Sequence, residues 1–145
     1  GRLDAAGRVY VSLPSFLTPK AYALTIVYSG NANVRAASTT ARVTVAKAAV
    51  RGVSLKPRTT VRAKRAAVAT VTVTTPSGLA KASGKVRIVL KRGASTRTVV
   101  GTVRSGKATV KLPKLTKGTW SARVSYLGNT AYTAKTVGTR VTVRG

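Results

Sequence analysis

Acidic side chains are almost absent from this 145-residue chain: Asp4 is the single carboxylate, and His, Cys and Met do not occur. General acid–base catalysis needs a histidine, or carboxylates tuned by their surroundings, and one aspartate cannot form a pair. A Ser-His-Asp arrangement lacks its base, and no particular serine stands out for a Ser–Lys dyad. We therefore expect no enzyme activity. Asp4 alone offers too few ligands for a metal, so we expect no metal or cofactor site either.

Twenty-seven Lys and Arg residues produce a formal net charge of +26. They occur at intervals from Arg2 to Arg144 and are not confined to a tail. A disordered basic arm would be poor in β-branched apolar residues, whereas valine and threonine abound here. The charge is therefore predicted to lie on a folded surface and to attract polyanions, because a surface shaped only for solubility mixes both signs. No apolar run approaches the roughly 18 residues of a membrane helix.

The chain contains an internal repeat at a spacing of about 98 residues, in which 24–45 match 122–143. A second block, 7–14, matches 106–113 after a register slip of one residue. Residues 1–46 thus correspond only to the second half of 47–145, and a linker is expected near 46–49. We predict a partial module at 1–46, built from strands 7–13, 21–29 and 38–46, followed by a complete module at 47–145.

Strict alternation of apolar and polar residues predicts strands in the complete module. The clearest are 66–75, 84–91, 107–112, 119–126 and 139–144, and 52–62 and 96–104 are expected to supply a first and a fourth strand. Turn signals such as 76–78, 92–93 and 105–106 separate them. No segment has a helical period. Seven short strands indicate an all-β fold, a two-sheet β-sandwich in preference to a closed barrel.

The string from Tyr28 to Asn33, followed by small residues and 42–45, resembles the end of a bacterial Ig-like repeat found in tandem on secreted and surface proteins. Residues 118–129 are similar to the penultimate strand and turn of that repeat. The resemblance covers nearly all of the chain and implies an extracellular Ig-like sandwich used as a stalk, spacer or adhesive module. Such repeats usually carry Asp where this chain has Asn31 and Asn129, which argues against cation binding at the turn.

Outward positions on the predicted strands carry many of the cations. Arg87, Arg123 and Arg140 would lie on neighbouring strands of one Ig-like sheet and form a lateral row. The row would be extended by Lys85, Lys91 and Arg144, with Lys107 and Lys111 on the opposite sheet. A second concentration is predicted in or beside the first strand, at Arg58, Arg62, Lys64 and Arg65. The alternative is that all of these are ordinary solvated residues, but that alternative explains their polarity and not their common sign.

These features favour a non-catalytic module of a secreted or cell-surface bacterial protein that attaches to anionic polymers of the envelope. One alternative is non-specific binding of nucleic acid through phosphates, which would be steep in salt. Trp120, Tyr126 and Tyr28 lie on the inward phase, which disfavours base stacking. Another alternative is an accessory region of an extracellular hydrolase or adhesin. Residues 1–46 would leave an apolar face and an open edge, so we expect another chain, a symmetry mate or the neighbouring module to complete them.

Overall fold

The computed structural model describes residues 1–14 and 17–145, and these residues form strands and turns with no helix. The predicted all-β class is confirmed. The chain divides into two compact units, Gly1–Ala46 and Lys47–Gly145. Across the described ranges no helix has the length and apolarity that crossing a bilayer requires.

The first unit contains a single antiparallel hairpin. Its strands are β1 (Ala21–Tyr28) and β2 (Ala37–Thr44). Residues 7–13, predicted as a third strand, do not form one. No described residue of Gly1–Ala46 is fully buried.

The second unit contains eight strands. They are β3 (Gly52–Pro57), β4 (Val61–Arg62), β5 (Ala67–Thr74), β6 (Gly84–Arg92), β7 (Ser95–Val103), β8 (Lys107–Leu112), β9 (Gly118–Tyr126) and β10 (Lys135–Arg144). One sheet has the order β4-β10-β9-β6-β7 and the other the order β3-β5-β8. Every pairing is antiparallel except that of β4 with β10.

The period-two pattern places one side of each sheet in a shared core. Ile88 and Leu90 of β6 are fully buried in the same cluster as Val71 of β5 and Leu112 of β8. The intervening residues of β6, β8 and β9 are mostly exposed. One core shared by two sheets is consistent with a β-sandwich.

The first predicted strand, 52–62, is in fact two strands in different sheets. β3 pairs with β5 as far as Pro57, and the chain then crosses over, so that Val61 lies beside Val143 of β10. Pro57 has no backbone N–H and cannot donate to a ladder. Val53 and Val61 are both buried, because each faces the shared core from its own sheet.

The internal repeat is visible in the backbone as well as in the sequence. Tyr22 pairs with Val43 in the hairpin, as Trp120 pairs with Val141 between β9 and β10, and every other pair in the hairpin has its counterpart 98 residues later. The turns also match. The Asn31 side-chain oxygen accepts hydrogen bonds from the backbone amides two and three residues later, at 2.9 and 2.8 Å. The Asn129 side-chain oxygen accepts the equivalent two bonds at 2.8 and 2.7 Å.

Candidate polyanion-binding surface

Six of the predicted cationic residues lie on the outer face of the five-stranded sheet. Each is exposed and alternates with buried residues on its strand. Arg62 of β4 joins them, because it pairs directly with the last residue of β10. We call this surface the five-strand cationic face; it comprises Arg62, Lys85, Arg87, Lys91, Arg123, Arg140 and Arg144.

The three central arginines lie on three neighbouring strands, as expected, but in a diagonal line and not in a lateral row. Arg123 lies between Val89 and Gly138, so neither of its direct neighbours is charged. Arg87 lies opposite Ser125 and Arg140 opposite Ser121. Diagonal neighbours in a sheet are roughly 7–8 Å apart, against roughly 5 Å for residues directly opposite. The stagger therefore reduces repulsion between the guanidinium groups while keeping them on one surface.

A shallow groove of about 670 Å³ lies between these arginines. Its rim carries the side chains of Arg87, Lys91, Arg123 and Arg140, and Val89, Ser121 and Gly138 also line it. Gly138 has no side chain, and apart from Gly138 and its two neighbours in the chain no atom lies within 4 Å of the place where a Cβ would be. The Ser121 hydroxyl donates to the Lys91 carbonyl at 2.9 Å and so lies close to the backbone. Small residues thus leave an open depression surrounded by cations.

The charges of this surface have no acidic partner in their own unit. Five of the 27 Lys and Arg residues lie in Gly1–Ala46 and the other 22 in Lys47–Gly145, which contains no Asp or Glu. The one aspartate, Asp4, accepts the backbone N–H groups of Ala6 and Arg8 at 2.9 and 2.8 Å. In the part of the chain that the structure describes, no hydrogen bond uses the guanidinium groups of the three central arginines. These groups are thus available to an anion.

The second predicted concentration is not a single cluster, because the chain changes sheets within it. Arg58 lies across the three-stranded sheet, where Nε donates to Thr70 Oγ1 at 3.3 Å and Nη2 to Thr109 Oγ1 at 3.4 Å. Arg62, by contrast, belongs to the five-stranded sheet. Lys64 and Arg65 are exposed in the turn after β4, which is closed by a bond from the Arg65 amide to the Arg62 carbonyl.

The three-stranded sheet carries a cationic face of its own. Lys107 and Lys111 lie on its outer side, as expected, and the structure adds Lys56, which pairs with Thr70. We call this the three-strand cationic face; it comprises Lys56, Arg58, Lys107 and Lys111. The alternation of 52–57 by itself places Lys56 outward, so the sequence contains the signal for this residue.

Aromatic side chains are inside the second unit and not on its cationic faces. Trp120 is buried and donates its indole N–H to the Thr116 carbonyl at 3.0 Å. Tyr126 is buried and donates to the Ser83 carbonyl at 2.7 Å. Burial, with a smaller contribution from the nearby Tyr132, raises the pKa of Tyr126 above its ordinary value of 10.0. No aromatic ring of Lys47–Gly145 is exposed, so this unit lacks the stacking platform typical of single-strand binders.

No protein-family model matches this chain, and no curated protein sequence matches it significantly.

Proposed function

We propose that Lys47–Gly145 is a non-catalytic binding module that attaches to anionic polymers through the five-strand cationic face. The observation that carries this proposal is the groove rimmed by Arg87, Lys91, Arg123 and Arg140 in a unit without one acidic side chain. Guanidinium groups hold phosphate and carboxylate through paired N–H donors. A face with several unpaired guanidinium groups thus has the chemistry to hold a repeating anion.

The shape of the face favours a polymer over a small anion. Its cations extend along β6 from Lys85 to Lys91, a distance of roughly 20 Å at about 3.4 Å per residue. The groove is open and shallow, whereas sites for small molecules usually enclose most of the ligand surface. A flexible chain with anionic groups at regular intervals would contact several cations at once, each releasing counterions.

We further propose that the fold is an Ig-like sandwich and that the protein acts on the bacterial cell surface or outside the cell as a stalk or spacer. The order of the strands in two sheets, the crossover of the chain from one sheet to the other between β3 and β4, and the internal repeat support an Ig-like tandem module. Teichoic-type polyphosphates, acidic glycans and phospholipid head groups are the anionic partners that such a location offers.

Binding of the full chain to three labelled polymers tests this proposal. Fluorescence anisotropy would be measured with a polyphosphate, an acidic glycan and a DNA duplex of equal charge, from about 50 to about 200 mM salt. We expect binding to polyphosphate or glycan at least as tight as binding to DNA, and a steep decline with salt. Tighter binding of DNA that survives at the upper salt concentration would identify a nucleic-acid binder instead. No binding to any polymer at the lowest salt concentration would refute the proposal.

A further inference from the structure

The hairpin of the first unit and the β9–β10 pair have the same strand register and the same turn hydrogen bonds but very different surroundings. Ile26 is 51% exposed, while Val124, its counterpart in the repeat, is 1% exposed. Tyr22, Leu24 and Tyr28 are likewise only partly buried, although their counterparts in β9 are buried. Because the strand registers and the turns are the same, the difference in side-chain exposure comes from what covers the strands.

Two elements cover β9 and β10 in the second unit. The first is β6, which pairs along the free edge of β9 and places Val86, Ile88 and Leu90 opposite Tyr126, Val124 and Ala122. The second is the three-stranded sheet, which contributes to the same core. The edge of β1 that corresponds to this pairing is unoccupied in the described part of the first unit, where the only sheet has two strands.

Within residues 1–14 and 17–46, two polar side chains of the hairpin lack the hydrogen-bond acceptor that their counterparts have in the second unit. In the second unit the Ser83 carbonyl, just before β6, accepts the Tyr126 hydroxyl at 2.7 Å and the Asn129 side-chain amide at 3.1 Å. Tyr28 and Asn31 are the counterparts of Tyr126 and Asn129. Among the described residues neither side chain donates to a carbonyl.

The absence of a strand at 7–13 has the same cause. Its counterpart β8 exists as a strand because it pairs with β5, from Ala67–Leu112 to Thr72–Lys107. The first unit contains no counterpart of β5. Val11 is consequently 70% exposed, whereas Val110, its counterpart, is 3% exposed. An isolated strand has no partner for its backbone groups and does not persist in water.

We propose that the hairpin and residues 7–13 form a docking surface for a strand-forming segment of the same repeat type as 48–105. This segment would pair its β6-like strand with the free edge of β1 and its β5-like strand with residues 7–13. Its carbonyl at the position of Ser83 would accept hydrogen bonds from Tyr28 and Asn31. A second hairpin from another copy fits less well, because it would cover the apolar face but would supply no β5-like partner for residues 7–13.

An extended chain tests this proposal directly. A copy of residues 48–105 is placed directly before Gly7, the residue that aligns with Gly106. Amide hydrogen exchange in this extended chain is then compared with exchange in the original chain. In the extended chain we expect the amides of 9–13 and 21–28 to exchange at least about 100-fold more slowly than in the original chain. The amides of β9 serve as an internal reference, since they are protected in both chains. The matched control carries Ile88→Lys within the added copy alone, which should abolish the new protection.

Two results would overturn the proposal. One is unchanged exchange at 9–13 and 21–28 in the extended chain. The other is a stable dimer of the original chain in sedimentation, with residues 21–28 already protected, because a second copy would then be the occupant. Both results concern the first unit, so they are independent of polymer binding by the second.

Discussion

Neutralising the three arginines around the groove should change the salt dependence of polymer binding. The variant is Arg87→Gln, Arg123→Gln and Arg140→Gln in the full chain. All three side chains are exposed, and none of their guanidinium groups donates to an acceptor within the described residues. Their removal also relieves like-charge repulsion in a protein with a net charge of +26. We therefore expect each substitution to change the free energy of unfolding by no more than about 0.5 kcal/mol.

The size of the binding effect follows from counterion release. Each contact between a cation and a DNA phosphate contributes roughly 0.9 to the slope of log affinity against log salt, so three contacts contribute about 2.7. Between about 50 and about 200 mM salt the original chain should then lose roughly 40-fold more affinity than the variant. Anisotropy with a labelled DNA duplex and with polyphosphate, at four or more salt concentrations, measures both slopes.

A control with the same change in total charge separates a binding face from bulk attraction. Arg51→Gln, Lys81→Gln and Arg104→Gln remove three exposed cations that lie outside the five-strand cationic face. If the groove is the contact surface, this control keeps a slope close to that of the original chain. Equal slopes for the two variants would refute the reasoning, since binding would then depend only on net charge.

Three further predictions concern the second unit. Gly128→Ala should destabilise this unit by about 1–3 kcal/mol, measured by urea unfolding with Trp120 fluorescence. The reason is that Gly128 has a φ of +77° and that a Cβ there would lie 2.8 Å from the Tyr132 carbonyl oxygen. Gly138→Ala, where the same space is empty, should change stability by no more than about 0.5 kcal/mol, and equal losses for both would contradict the argument. The raised pKa of Tyr126 means that its contribution to stability is complete below pH 10.0, the ordinary value, and is lost as pH rises through the folded-state pKa. Alkaline absorbance titration should thus show a late-ionising tyrosine that Tyr126→Phe removes, and a variant with an unchanged titration would exclude this assignment. Finally, cations on both outer faces should let one module bridge two polymer chains. Replacing Lys56, Lys107 and Lys111 of the three-strand cationic face with glutamine should therefore lower the turbidity with long polyphosphate more than the affinity for short polyphosphate. Equal falls in turbidity and affinity would rule out bridging.

Strand positions in the second unit were largely predictable, because alternation along the chain is a local property. The segments 84–91, 107–112 and 119–126 correspond closely to β6, β8 and β9. The crossover after Pro57 was not predictable by the same means. Apolar alternation shows that a residue faces a core, but both sheets face the same core, so Val53 and Val61 look alike in the sequence.

The outward direction of the cationic residues was also predictable, whereas their mutual arrangement was not. Alternation with apolar neighbours already directs Arg123 and Arg140 away from the core. The register between strands decides whether such residues lie side by side or on a diagonal, and register is a long-range property. The separation of Arg58 from Arg62 has the same origin, since it depends on which sheet each strand joins.

The sequence by itself determined the all-β class, the internal repeat and an excess of positive charge with a single aspartate to balance it, because these depend on composition and on spacing along one strand. Only the tertiary structure decided that the central arginines are staggered around a groove and that residues 7–13 form no strand. Both outcomes depend on partners distant in the sequence. A strand needs a neighbour to pair with, and the position of that neighbour sets the distances between charges.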